Sequence, residues 1–166
     1  GHMAVKLGVA MGCDVTLISR SQDKEKDLKH LGGHHFILSS DASSMKAARN
    51  SFDLMLDTVS AEHDYNKYLD LLKRDGTMVC LGGPPPGPGI ESFKLIGRRA
   101  SLAGSLIGGI AETQEMLDFC AAHQIVSEVE VIDISYINEA YERMMKGDVR
   151  YRFVIDMASL NPNSAV

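Results

Sequence analysis

Residues 14–33, DVTLISRSQDKEKDLKHLGG, hold the pattern on which the fold turns. Positions 14–19 form a short, mainly apolar and β-branched run that predicts a strand. Positions 22–31 predict a helix, closed by Gly32 and Gly33, because glycine tolerates the left-handed conformation at a helix end. The same alternation continues outward in both directions. A helix is expected at 3–11, stopping at Gly12, and another at 64–72, ahead of a turn at Arg74, Asp75 and Gly76. Further strands are expected at 35–38 (HFIL), 52–58 (FDLMLDT), 77–81 (TMVCL) and 100–106 (ASLAGSL). Their nearly continuous apolar character is that of strands covered on both faces. Strands alternating with helices of this length imply βαβ units and a parallel sheet.

Past Ile107 the rhythm changes. Gly108 and Gly109 introduce a helix at 112–123 with Met116, Leu117 and Cys120 on one face. A strand at 128–132 follows, then a helix at 136–146, with Ser135 as its expected cap, an apolar stripe of Ile137, Ala140, Tyr141 and Met144, and Gly147 at its end. A strand at 151–157 and a polar tail from Asn161 close the chain. The proline cluster at 84–89, PPPGPG, reads as a stiff loop after a strand end.

Composition narrows the class. With 166 residues, 45% of them apolar and 23% charged, the chain is long enough to bury a core. A formal charge of −5 argues against nucleic acid or an anionic membrane as partner, since phosphates call for a basic surface. No apolar run approaches the roughly 18–20 residues a membrane span requires, and no signal peptide is visible. Cys13, Cys80 and Cys120 are odd in number and far apart. They read as small buried hydrophobes of a reducing compartment, which places the protein in the cytoplasm.

The stretch around the end of the strand-like run at 14–19 carries chemistry. In a dinucleotide-binding fold, the residue about 20 positions beyond the glycine loop meets the adenosine ribose. An acidic residue there accepts hydrogen bonds from the 2′-hydroxyl. This chain has Ser19 and Arg20, with Lys24 one helical turn on. A carboxylate would repel a 2′-phosphate, whereas two cations and a hydroxyl would hold one through charge-assisted hydrogen bonds. In isolation, Arg20 and Lys24 are ordinary solvated surface charges. Their position within the βαβ pattern favours a ligand anion instead, and NADP as the cofactor. Other chemistry-bearing residues stay bland. His34 and His35 adjoin a strand, His63 and His123 lie near helix ends, and lone histidines are most often solvated. Asp53 and Asp57 flank a strand as a possible acid pair, and residues 23–27 read as an exposed helix face of alternating charge.

Several blocks, in order along nearly the whole chain, carry a resemblance: GHMAVK at 1–6, VTLISRS at 15–21, Leu31-Gly32, FDLMLDT at 52–58, GSLIG at 104–108 and DVRYRFVID at 148–156. Together they resemble the zinc-dependent medium-chain alcohol dehydrogenases, in particular the cinnamyl alcohol dehydrogenase group. The resemblance implies that Gly1 is the last glycine of a cofactor-binding loop and that GHM is native, not a cloning remnant. It implies that Ser19, Arg20 and Lys24 contact the 2′-phosphate of NADP. It also implies that Thr58, Val59, Leu81, Gly82 and Gly83 line the cofactor path, and that Ser105, Leu106 and Ile107 hold the nicotinamide carboxamide. Arg152 would reach the pyrophosphate, a role for which Arg150 is equally placed.

The expected fold is therefore α/β: a Rossmann-type doubly wound parallel sheet lacking its first strand, with a small C-terminal α+β return segment. Residues 1–110 would form the NADP-binding domain and 111–166 the segment returning to a catalytic domain. With the central strand missing, the strands on either side of it would have no neighbour between them. The family's zinc sites need three or four converging ligands. No such spacing occurs here, so neither catalytic nor metal-binding residues are expected in this chain, and zinc would belong to the full-length enzyme only. The reading is the cofactor-binding half of an NADP-dependent alcohol dehydrogenase or aldehyde reductase, inactive by itself, acting on a small-molecule alcohol or aldehyde. A homodimer through the strand at 101–105 is expected. Two alternatives are a zinc-free medium-chain reductase of quinone or enoyl type, and a non-catalytic nucleotide-binding or dimerisation module.

Overall fold

The computed structural model describes residues 1–160. In chain order the elements are α1 (His2–Ala10), β1 (Thr16–Ser19), α2 (Lys24–His30), β2 (His35–Leu38), α3 (Ala42–Ala47), β3 (Phe52–Asp57), α4 (Tyr65–Leu69), β4 (Leu72–Cys80), α5 (Ser92–Ile96), β5 (Ser101–Gly104), α6 (Ile110–Ala122), β6 (Glu130–Asp133), α7 (Ile137–Met145) and β7 (Phe153–Asp156). The polar tail expected from Asn161 lies outside the described residues. Two compact units are present. One comprises Gly1 and Met3–His123, the other His2 and the chain from Gln124. The helix α6 thus groups with the first unit, beyond the boundary expected at residue 110.

All strand pairing is parallel. In the first unit β1 pairs with β2 from Thr16↔His35 to Ser19↔Leu38. A separate sheet has the order β3-β4-β5. Its registers run Leu54↔Thr77 to Asp57↔Cys80 and Thr77↔Ser101 to Cys80↔Gly104, so Asp57, Cys80 and Gly104 stand side by side at the carboxyl end. No pairing joins β1 to β3 among the described residues, so each has one unpaired edge, as expected for a sheet without a strand between them. In the second unit β6 pairs with β7, from Glu130↔Phe153 to Asp133↔Asp156.

The local chemistry explains most boundaries. Gly12 and Gly32 take positive φ just past α1 and α2, where a side chain would be strained. Asp41 caps α3, its carboxylate accepting from the Ser43 and Ser44 amides. Asp64 caps α4 through the Asn66 amide. The core of the three-stranded sheet is Leu69, Leu72 and Met78, with Met55, Tyr65, Tyr68 and Leu102 packed around it. Full withdrawal of each such side chain from water is worth about 1.5–3 kcal/mol. At Gly33 a Cβ would lie 2.0 Å from Leu28 Cδ1 and 3.2 Å from Val5 Cγ1, so glycine is needed for α1 and α2 to pack there.

Several expectations are corrected. β4 begins at Leu72, where a helix was expected to end. It pairs at Phe52↔Leu72 before the register shifts, so Arg74, Asp75 and Gly76, expected as a turn, lie within the strand as an irregularity with Asp75 at positive φ. Leu54 and Leu56 are exposed, so β3 is covered on one face only by the described residues. Cys13 is exposed and Cys80 half-buried, leaving only Cys120 as a buried cysteine. Asp27, read as part of an exposed face, is buried beside Leu28. Ser135 does not cap α7. It lies in a single 3-10 turn, Ile134–Tyr136, that runs into the helix, and α7 has no side-chain cap.

Candidate functional site

The first unit gathers its open loops at the carboxyl ends of β3, β4 and β5, the edge at which parallel α/β sheets bind ligands. The organiser is Asp57, the last residue of β3 and only 8% exposed. Its backbone carbonyl accepts from the Leu81 amide at 2.8 Å and the Gly82 amide at 3.0 Å. One carboxylate oxygen accepts from the Val59 amide at 3.0 Å, and the other lies 2.9 Å from His63 Nε2. One side chain therefore ties the loop after β3 to the loop after β4.

The sequence-derived residues fall around this organiser. Thr58 and Val59 are exposed on the first loop, and Leu81 and Gly83 are exposed on the second. Gly82 is where the loops touch: a Cβ there would lie 2.4 Å from the Val59 carbonyl oxygen. A Cβ on Gly1 would lie 3.4 Å from Thr58 Oγ1, which brings the start of α1 to the same loop. Beyond β5, the Ser105 amide donates to the Cys80 carbonyl at 3.2 Å, while Leu106 and Ile107 are about nine-tenths exposed. An apolar pair held so far out of the core suits a bound ring system.

At the end of β1, Ser19 Oγ accepts from the Ser21 amide at 3.2 Å. Arg20 is exposed and makes no ion pair among the described residues. Lys24 differs, because its Nζ lies 3.2 Å from the buried Asp27 carboxylate. Glu25 adds a further negative charge to the first turn of α2, so the cationic character of this corner rests mainly on Arg20. Arg152 belongs to the second unit, where its carbonyl accepts from the Glu130 amide at 2.9 Å.

Two sequence readings of acids and histidines change. Asp53 is solvent-exposed and pairs with Lys73 at 2.7 Å, so it forms no acid pair with the buried Asp57. His63, read as a solvated histidine, is 13% exposed and locked to Asp57. The D-x5-H spacing was the only available signal, and the irregular loop between them gives such a spacing no geometric meaning. At the amino end of the three-stranded sheet an open hollow of about 720 Å³ is lined by Lys73, Arg74, Arg98 and Arg99. Three of these cations are paired with Asp53, Asp70 and Asp75, so the hollow is largely neutralised.

Residues 1–122 match the profile of the zinc-binding dehydrogenases. The chain belongs to that family. It is 52% identical over 160 residues to NADP-dependent alcohol dehydrogenase C of Mycobacterium bovis, covering 96% of this chain and 46% of that protein. A cinnamyl alcohol dehydrogenase of Sorghum bicolor superposes with a TM-score of 0.91 at 44% identity, over 95% of this chain and 45% of that one. The CAD of Helicobacter pylori, solved with NADP(H), gives a TM-score of 0.82 at 36% identity, over 94% of this chain and 44% of that one. The chain thus spans about half the length of the curated relatives it matches. Despite the family's name, the residues in hand do not fit a zinc ion. Among the described residues no three His, Cys, Asp or Glu side chains converge to hold a metal.

Proposed function

We propose that this chain is the cofactor-binding part of an NADP-dependent alcohol dehydrogenase or aldehyde reductase. The observation that carries the reading is Arg20, an exposed guanidinium without an ion pair among the described residues, at the end of β1, where an NAD-selective site would carry a carboxylate. Two of the similar proteins named above are described with NADP or NADP(H), which supports the same choice. The cofactor held by these residues would supply hydride-transfer chemistry toward an alcohol or aldehyde.

This chain's residues bind and orient. Arg20 and Ser19 hold the 2′-phosphate by charge-assisted hydrogen bonds, and Lys24 adds charge while tethered to Asp27. Gly1, at the start of α1, presents backbone to the pyrophosphate. Thr58, Val59, Leu81, Gly82 and Gly83 form the wall of the cleft, and Ser105, Leu106 and Ile107 receive the nicotinamide end. No catalytic group and no zinc ligand is assigned to this chain.

Calorimetry tests the reading. NADPH is expected to bind at least about tenfold more tightly than NADH, the worth of one charge-assisted contact. Arg20→Asp reverses that order. Equal affinities in the unchanged protein, or an unchanged ratio in the variant, refute the assignment.

We further propose that the protein pairs as a homodimer along β5, the outer strand of its sheet, beside which Leu106, Ile107 and Ile110 project into solvent. No helix among the described residues is long and apolar enough to cross a membrane. The three cysteines are free, in keeping with a reducing cytoplasm, where we place the protein.

A further inference from the structure

The loops after β3 and β4 are joined at both ends. At their start the Asp57 carbonyl accepts from the Leu81 and Gly82 amides. Midway they touch again, since a Cβ on Gly87 would lie 3.3 Å from the His63 carbonyl oxygen. At their far end the join is a single side chain, Asn66. It stands in the first turn of α4, directly after the loop that follows β3, and is only 5% exposed. Its Nδ2 donates to the Gly89 carbonyl and to the Asp64 carboxylate, both at 3.0 Å, and its Oδ1 accepts from the Glu91 amide at 2.9 Å.

The Glu91 amide can only donate and the Gly89 carbonyl can only accept, so the clasp needs an acceptor and a donor on one short side chain. The carboxamide supplies both. These partners lie 25 and 23 residues away along the chain, and α4 is capped by Asp64, so the helix itself does not need them. A separate staple joins the other ends of the same helices, where Lys94 of α5 meets Asp70 just past α4. Between the two loop joins run Pro84, Pro85, Pro86 and Pro88, whose rings fix φ. A segment stiff within itself has its place set by its ends. β4 fixes the first, and Asn66 holds the second, where the chain enters α5. Freedom at that far end would be passed back toward Gly83, which directly precedes the prolines.

We propose that Asn66 is a positioning residue for the cofactor: by clasping Gly89 and Glu91 it holds the loop after β4 where Leu81, Gly82 and Gly83 meet the nicotinamide half of NADPH. The role rests on the cofactor reading above. In the order β3-β4-β5 this loop lies beside Ser105, Leu106 and Ile107, whereas Arg20 follows β1 in the other sheet. The adenosine half therefore does not depend on Asn66. A wall set in advance spares NADPH the cost of ordering it on binding. Asn66 touches neither substrate nor cofactor in this role; it acts through the loop.

Two measurements on the protein test it. Calorimetry compares NADPH with its adenosine half, 2′-phospho-AMP, in the unchanged protein, Asn66→Ala and Asn66→Asp. Alanine removes both contacts, and aspartate keeps an acceptor for Glu91 but brings no amide donor to Gly89. In both variants NADPH affinity is expected to fall about tenfold, the scale of a buried polar group left unsatisfied, while 2′-phospho-AMP affinity holds. A merely structural Asn66 would lower the urea midpoint and leave the ratio of the two affinities where it was. An unchanged ratio in the folded variants overturns the proposal while NADPH still binds the unchanged protein. Absence of NADPH binding there overturns the cofactor reading and this role with it, so the two failures are distinct. Amide hydrogen exchange needs no variant. The Glu91 amide is expected to exchange at least about tenfold more slowly than in an unstructured chain. Exchange at the open-chain rate shows the clasp to be absent and overturns the proposal even where neither variant folds.

Discussion

At Gly82 the structure excludes a single methyl group. A Cβ there would stand 2.4 Å from the Val59 carbonyl oxygen and 2.6 Å from its carbon, both backbone atoms that cannot swing aside. The neighbouring Gly83 has nothing within 4 Å of the same position. The two glycines look alike in the sequence and differ in space. Gly82→Ala has to push the two loops apart, break the Gly82 amide's bond to Asp57, or both. It is expected to cost about 1–3 kcal/mol of stability, the scale of overpacking, and to weaken NADPH binding. Gly83→Ala stays within about 0.5 kcal/mol. Urea denaturation of the two variants side by side checks this, and equal behaviour refutes the close contact.

Among elements, the strands were the legible part, because a buried strand's apolar run survives in any window of sequence. β1, β2, β3 and β5 lie where the runs predicted them, within a residue or two at their ends. The short helices were not legible. α3 (ASSMKA) and α5 (SFKLI) are less than two turns long and show no period. Only Asp41 ahead of Ser43 and Ser44 signalled the first of them. Contacts between elements were hidden for a different reason: nothing in residues 57–63 says that the chain folds back to set His63 on Asp57. The glycines after β4 and Arg20 could be named as candidates from pattern and resemblance, but the pairing of Lys24 with Asp27 could not be foreseen. The strand β5 carries a prediction of its own. Its outer edge is unpaired among the described residues, and Ala103 is exposed in mid-strand. In a dimer joined edge to edge, a charge placed there faces its own symmetry mate across the axis or beside it. Ala103→Lys is therefore expected to turn the proposed dimer into a monomer in analytical ultracentrifugation. A sedimentation coefficient unchanged by the substitution would reject β5 as the interface.

Over the whole sheet-bearing unit, the two ends of the three-stranded sheet are built for different tasks. The carboxyl end is left open, with Thr58, Leu81, Leu106 and Ile107 in solvent. The amino end is stapled by charge. Asp70, just past α4, lies 2.8 Å from Lys94 of α5, 3.1 Å from Arg49 and 3.7 Å from Arg98. Beside it Asp75 is tied to Arg99, which holds its carboxyl below the usual range. Burial alone would raise the Asp70 carboxyl, but the hydrogen bond and charge of Lys94, with Arg49, bring it down overall. The sign of the pH effect follows. A carboxyl depressed in the folded state stabilises the fold above its unfolded value, about 3.9 for Asp, and that contribution is lost as pH falls through the folded value. Asp41 extends the window, since its bonds to Ser44 and Ser43 hold it to about 2. Stability is thus expected to be flat near neutrality and to fall between about pH 5 and pH 2. Asp70→Asn separates this staple from the rest. At pH 7 it is expected to cost about 1–2 kcal/mol, after allowance for solvent screening of Arg49. At low pH, once Asp70 itself protonates, the difference between variant and unchanged protein narrows. Urea midpoints at the two pH values give both numbers. A gap that stays constant with pH would mean that the carboxylate's charge is not what joins the end of α4 to α5 and to the turn after α3.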